Sequence, residues 1–86
     1  DRLAGKIALV TGAARGLGAQ IARRFAEQGA TVIVNDLNLA AAEATAKTLG
    51  GHALACDVSD AASVARMFAD LREITGGRLD VLVNNA

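Results

Sequence analysis

Four short apolar runs alternate with three amphipathic helical patterns along this 86-residue chain, and that alternation restricts the fold more than any other feature. The first run, Lys6 to Val10 (KIALV), is aliphatic and carries no interleaved polar residue. Continuous apolarity of that kind marks a strand covered on both faces, as the strands of parallel sheets are. Thr31 to Asn35 (TVIVN), His52 to Cys56 (HALAC) and Leu79 to Val83 (LDVLV) repeat it. The third run is weaker, because alanine has poor strand propensity.

Helical spacing fills the intervals. Leu17, Ile21 and Phe25 follow one another at i, i+4 and i+8, with Gly29 placed to end that helix as a left-handed cap. Asn38 is the expected N-cap of the second helix, whose stripe is Leu39, Ala42, Ala46 and Leu49 before Gly50-Gly51. Ser59 is the expected N-cap of the third, with Val64, Met67, Phe68, Leu71 and Ile74 as the stripe before Gly76-Gly77. All three stripes read as core. The order is β-α-β-α-β-α-β with short connections, the pattern of an α/β Rossmann-like parallel sheet. Right-handed crossovers restrict its topology further. No proline interrupts the chain, so a single domain over residues 1–86 is expected, with no second domain inside it.

Composition excludes several functions. Nine basic and nine acidic residues cancel and form no run, which gives no reason to expect nucleic acid or an acidic membrane surface as partner. No stretch has the length of a membrane span. The only cysteine, Cys56, lies in an apolar run and reads as a small buried hydrophobe. Its solitude fits a reducing, cytoplasmic setting. His52 opens a strand and reads as structural, and no residues group as metal ligands. The first residue is Asp1, so the start is expected to be processed or the chain to be part of something longer.

The chemistry concentrates after the first strand. Thr11-Gly12-Ala13-Ala14-Arg15-Gly16-Leu17-Gly18 runs straight into a helix. A strand, a tight glycine turn and a helix N-terminus bring unpaired backbone N–H groups together at the positive end of the helix dipole. A pyrophosphate suits that arrangement. Gly12 permits the sharp turn, Gly16 leaves room for phosphates, and Gly18 lets helix and sheet approach. No Lys-Ser or Lys-Thr pair follows, so the turn is not a P-loop.

Asp36 ends the second strand, with Leu37 beside it. A carboxylate there accepts hydrogen bonds from the adenosine ribose hydroxyls and repels a 2′-phosphate, favouring NAD over NADP. Arg15 pulls the other way, since a guanidinium in the turn could reach a 2′-phosphate. Asp36 is taken to prevail. A methyltransferase with a nucleoside cofactor is an alternative, but such proteins usually place a carboxylate before their glycines, where this chain has Val10-Thr11.

The turn resembles the T-G-x-x-x-G-x-G signature of the short-chain dehydrogenase/reductase family. Three more marks stand at matching places. Asp36 is similar to the family's strand-end acidic residue in NAD-preferring members, Asp57-Val58 to its adenine-contacting pair, and Asn84-Asn85-Ala86 to the opening of its N-N-A-G motif. The resemblance implies a sheet of strand order 3-2-1-4, half of a doubly wound fold. It also implies that Gly12, Gly16, Leu17 and Gly18 line a pyrophosphate and that Asp57 and Val58 flank adenine. By the same resemblance Asn84 braces the sheet, Asn85 and Ala86 border a ribose, and Thr11 ties the glycine turn to the fourth strand. The family's Asn-Ser-Tyr-Lys catalytic set lies downstream of N-N-A-G, and this chain has no tyrosine. These 86 residues are therefore expected, by themselves, to bind dinucleotide at best weakly and not to catalyse, as the cofactor half of an oxidoreductase acting on alcohols or ketones. Substrate would bind only in a longer parent. Val81-Leu82-Val83, as an unpaired apolar strand, would support self-association into a homo-oligomer.

Overall fold

The structure, a computed structural model, describes residues 3–57 and 59–85. Its elements are β1 (Ile7–Thr11), α1 (Gly16–Glu27), β2 (Thr31–Asp36), α2 (Leu39–Leu49), β3 (His52–Ala55), α3 (Ala61–Thr75) and β4 (Val81–Val83). The four strands form one parallel sheet in the order β3-β2-β1-β4. This is the Rossmann-like α/β arrangement expected from the alternating runs.

The strands are apolar throughout because both faces are covered. On one face Val10, Val32 and Val34 pack with Ala22 of α1 and with Ala42 and Ala46 of α2. On the other, Leu9, Ile33 and Leu54 pack with Cys56 and with Met67 and Leu71 of α3. Leu9 and Ile33 are fully buried, and burying a side chain of that size stabilises by roughly 1.5–3 kcal/mol relative to exposure. Small residues on α1 and α2 let those helices lie close to the sheet. Asn35 is, with Thr11, one of the two buried polar residues among those described. Its amide donates to the Leu54 carbonyl at 3.0 Å and contacts Met67 Sδ at 3.3 Å, which removes most of the cost of burying an amide.

The helix stripes are narrower than their spacing suggests. Leu17, Leu39, Phe68 and Ile74, all expected in the core, are exposed. Leu17 lies in the first turn of α1, ahead of the part of the helix that packs on the sheet. The N-cap of α3 is Asp60 rather than Ser59. Asp60 Oδ1 accepts the Ala62 N–H at 3.0 Å, while the Ser59 hydroxyl is committed to Asp57 Oδ1 at 2.6 Å. As expected, Asn38 caps α2, accepting the Ala41 N–H at 3.1 Å.

The last strand is shorter than its apolar run. Asp80 N–H donates to the Ile7 carbonyl at 2.9 Å, but its own carboxylate, not a backbone carbonyl, accepts the Ile7 N–H at 2.8 Å. The regular ladder therefore begins at Val81, opposite Ala8. Helices α1 and α2 cover one face and α3 the other, so the chain changes direction between β1 and β4. That is the switch point at which ligand crevices open in such sheets.

A crevice at the carboxyl ends of the strands

The glycine turn leaves β1 at this switch point. Gly12 has φ +61° and Gly16 φ +63°, both in the left-handed region that glycine enters without steric cost. Ala13 between them is fully buried, and its N–H donates to the Asn35 carbonyl at 3.0 Å, carrying the β1–β2 pairing into the turn. Arg15 is the N-cap of α1 but supplies no side-chain cap, and no acidic residue stands in the helix's first turn. The positive end of the α1 dipole thus has no carboxylate within the helix's own first turn. Space is open above Gly16, where an added Cβ would meet nothing within 4 Å. Gly18 is the opposite case: a Cβ there would run into the Gly12 carbonyl oxygen and come within 2.7 Å of Asn85 Nδ2. One glycine keeps a surface clear, and the other allows three segments to meet.

Those segments are knit together by β4. The Thr11 hydroxyl lies 3.3 Å from the Val83 carbonyl and 3.2 Å from Asn84 Oδ1, and it accepts the Asn85 N–H at 2.9 Å. Asn85 Nδ2 in turn donates to the Gly12 carbonyl at 3.2 Å. Thr11 thus ties the turn to the fourth strand, and Asn85 faces Gly12 and Gly18 across the crevice while Asn84 meets the Thr11 hydroxyl.

Asp36 reaches the same place from β2. Its Oδ2 accepts the Ala14 N–H at 3.2 Å and its Oδ1 the Asn38 N–H at 3.3 Å. The carboxylate therefore stands against the turn itself, near the exposed Arg15. Leu37, the next residue, is 71% exposed, and Leu17 in the turn is 64% exposed. Beyond β3, Asp57 is held by its neighbours. Its Oδ1 accepts the Ser59 hydroxyl at 2.6 Å and the Ser59 N–H at 2.9 Å, and its own N–H donates to Ser63 Oγ at 2.9 Å. The Ser59 hydroxyl, and after it the Ser59 N–H, holds the Asp57 carboxyl below its ordinary pKa, so it stays ionised. Val58 and Ala86, the remaining residues expected here, lie outside the described residues.

The structure thus brings Gly12, Arg15, Gly16, Leu17, Gly18, Asp36, Leu37, Asn84 and Asn85 to one end of the sheet. Two further residues that their sequence context did not single out take part. Thr45 of α2 donates its hydroxyl to the Ala14 carbonyl at 2.7 Å, and Ser63 of α3 orients Asp57. A separate cleft of about 170 Å³, lined by Leu9, Thr11, Val64, Met67, Phe68, Leu82 and Asn84, opens on the α3 face beside β4. It carries no charged side chain and so differs chemically from the glycine turn. Among the described residues no group of three His, Cys, Asp or Glu could hold a metal ion, and no helix is long and apolar enough to cross a membrane.

Known proteins share this frame. The family model for the short chain dehydrogenases matches residues 6–86. The D-threitol dehydrogenase of Mycolicibacterium smegmatis is 52% identical over 90 residues, covering 99% of this chain and 34% of its own length. The sorbitol dehydrogenase of Cereibacter sphaeroides is 48% identical over 87 residues, with 99% and 34% covered. Among solved structures, the Pseudomonas aeruginosa RhlG/NADP active-site complex superposes with a TM-score of 0.91 at 43% identity, covering 98% of this chain and 35% of that one. This chain therefore spans about a third of the length of the relatives it matches. In sequence, in sheet order and in the placement of its glycine turn, the chain belongs to the short-chain dehydrogenase family.

Proposed function

We propose that this chain is the cofactor-binding portion of an oxidoreductase that moves hydride between a nicotinamide dinucleotide and an alcohol or ketone, with NAD preferred over NADP. The observation that carries the reading is the meeting of the uncapped α1 N-terminus with the Asp36 carboxylate across one turn. The N–H groups of that helix end suit a pyrophosphate, and the open space above Gly16 leaves it room. Asp36 suits the ribose. Each carboxylate oxygen has accepted one backbone N–H and keeps a further lone pair for a ribose hydroxyl.

The same carboxylate disfavours a 2′-phosphate by charge repulsion. Arg15 offers that phosphate a partner, but as an exposed side chain it is screened by solvent. Asp57 and Val58 are assigned to the adenine edge, with Ser59 and Ser63 fixing Asp57. Asn85 and Ala86 are assigned to the ribose side of the crevice, with Asn84 bracing the sheet beside them. When bound, the nicotinamide cofactor supplies the hydride acceptor or donor; the residues present here bind and orient it. The 86-residue chain contains no tyrosine to serve as a proton partner and is expected not to turn over by itself. The sugar-alcohol dehydrogenases among the relatives support an alcohol substrate for the whole protein. The lone buried Cys56 supports a reducing, cytoplasmic setting.

Calorimetric titration of the chain with NAD, alongside Gly16→Val and Asp36→Ala, tests the assignment. Both substitutions are expected to weaken binding at least several-fold, the first by filling the phosphate space and the second by removing the ribose acceptor. NAD binding that survives both unchanged contradicts it.

A further inference from the structure

Thr45 sits within α2, away from every motif in the sequence. A threonine inside a helix has ready acceptors in the carbonyls three and four residues back. Thr48, one turn on, uses one of them: its hydroxyl donates to the Thr45 carbonyl at 2.7 Å. Thr45 instead sends its hydroxyl across to the Ala14 carbonyl, 31 positions away, at 2.7 Å. Ala14 is then held from both sides, since its N–H donates to Asp36 Oδ2 at 3.2 Å. The two bonds fix the peptide groups before and after Ala14, and so set the direction in which the chain enters Arg15, the N-cap of α1.

We propose that Thr45 is a positioning residue for cofactor choice, acting through Ala14 to hold the Asp36 carboxylate and the Arg15 backbone in a fixed relation. The inference rests on the reading of Asp36 as the ribose acceptor. Asp36 and Arg15 carry the opposing charges that decide between a 2′-hydroxyl and a 2′-phosphate. Without the Thr45 hydroxyl, the Ala14 carbonyl loses its partner and the 14–15 peptide is free to rotate. The Ala14 N–H then no longer pins Oδ2, and the carboxylate can swing away from the ribose. NAD, which depends on those two oxygens, loses affinity. NADP, which gains nothing from them, does not.

The experiment compares dissociation constants of NAD and NADP for the unaltered protein, Thr45→Ala, Thr45→Ser and Asp36→Ala. Alanine is the strongest helix former, so Thr45→Ala is expected to keep α2 folded. Loss of one well-formed hydrogen bond predicts that Thr45→Ala weakens NAD roughly three- to tenfold. NADP should be unchanged, the NAD preference should fall accordingly, and Thr45→Ser should restore it. A purely structural role would weaken both cofactors alike and leave their ratio where it was. An unchanged ratio in Thr45→Ala beside a reduced one in Asp36→Ala overturns the role of Thr45 alone. An unchanged ratio in Asp36→Ala overturns the Asp36 reading, and the role of Thr45 with it.

Discussion

Two glycines of the turn do different work, and their substitution separates fold from ligand. Gly18 is closed in by the Gly12 carbonyl and Asn85 Nδ2, so Gly18→Ala must push β1, α1 and the segment after β4 apart. Overpacking of that kind costs about 1–3 kcal/mol. Gly16→Ala meets no atom and carries only the strain of a left-handed alanine, about 1–2 kcal/mol. Urea denaturation should therefore show the larger fall in midpoint for Gly18→Ala, and equal falls would contradict the close approach at Gly18. Both glycines were legible in the sequence because their spacing between a strand and a helix has few other uses. Thr45 was not, because a threonine on a polar helix face looks the same whether its hydroxyl meets water or a carbonyl 31 residues away. Ser59 misled for a related reason: its hydroxyl is taken by Asp57, and the neighbouring Asp60 caps α3 instead.

At the level of elements, the alternation of runs and stripes predicted every strand and helix, and the differences fall at their ends. The fourth strand starts late because Asp80 inserts a carboxylate where the ladder needs a carbonyl. The Ile7 N–H, foremost, holds the Asp80 carboxyl below its ordinary pKa, with Arg78 Nε 3.0 Å from Oδ2 adding to it. A carboxyl that gives up its proton more readily when folded stabilises the fold above its unfolded pKa of about 3.9. That contribution is lost as the pH falls through the lower, folded value. Asp80→Ala should thus be less stable than the unaltered chain at pH 7, and the gap should close progressively below about pH 4. Urea midpoints measured across that range test it, and a gap of the same size at pH 7 and pH 2 would count against the Asp80–Ile7 bond. The helix stripes were legible as amphipathic, but their width was not. Phe68 and Ile74 have core spacing yet remain exposed, since α3 turns only Met67 and Leu71 fully onto the sheet.

Across the whole molecule, the sheet order places β4 at an edge, paired only with β1 among the described residues. Leu82 within it is 55% exposed. An apolar edge without charges is a template for pairing with another strand. The 86-residue chain is accordingly expected to associate with itself in a concentration-dependent way. Sedimentation velocity should show a dimer growing in, and a clean monomer at high micromolar concentration would contradict this. The strand order was legible only through the family resemblance, because the hydrophobic runs say that strands pair but not in which sequence. What the folded chain adds is convergence, since segments from β1, β2 and β4 reach one crevice by hydrogen bonds that no single motif contains.

Whether this crevice receives a dinucleotide is tested by mapping where NAD touches the chain. Titration of the isotopically labelled protein with NAD, followed by amide chemical shifts, detects even millimolar binding and assigns it to residues. Shifts are expected to concentrate at Gly12, Gly16, Leu17 and Gly18, with companions at Asp36, Leu37, Asp57 and Asn85. Shifts confined to other surfaces, or none at millimolar NAD, would contradict dinucleotide binding in this crevice.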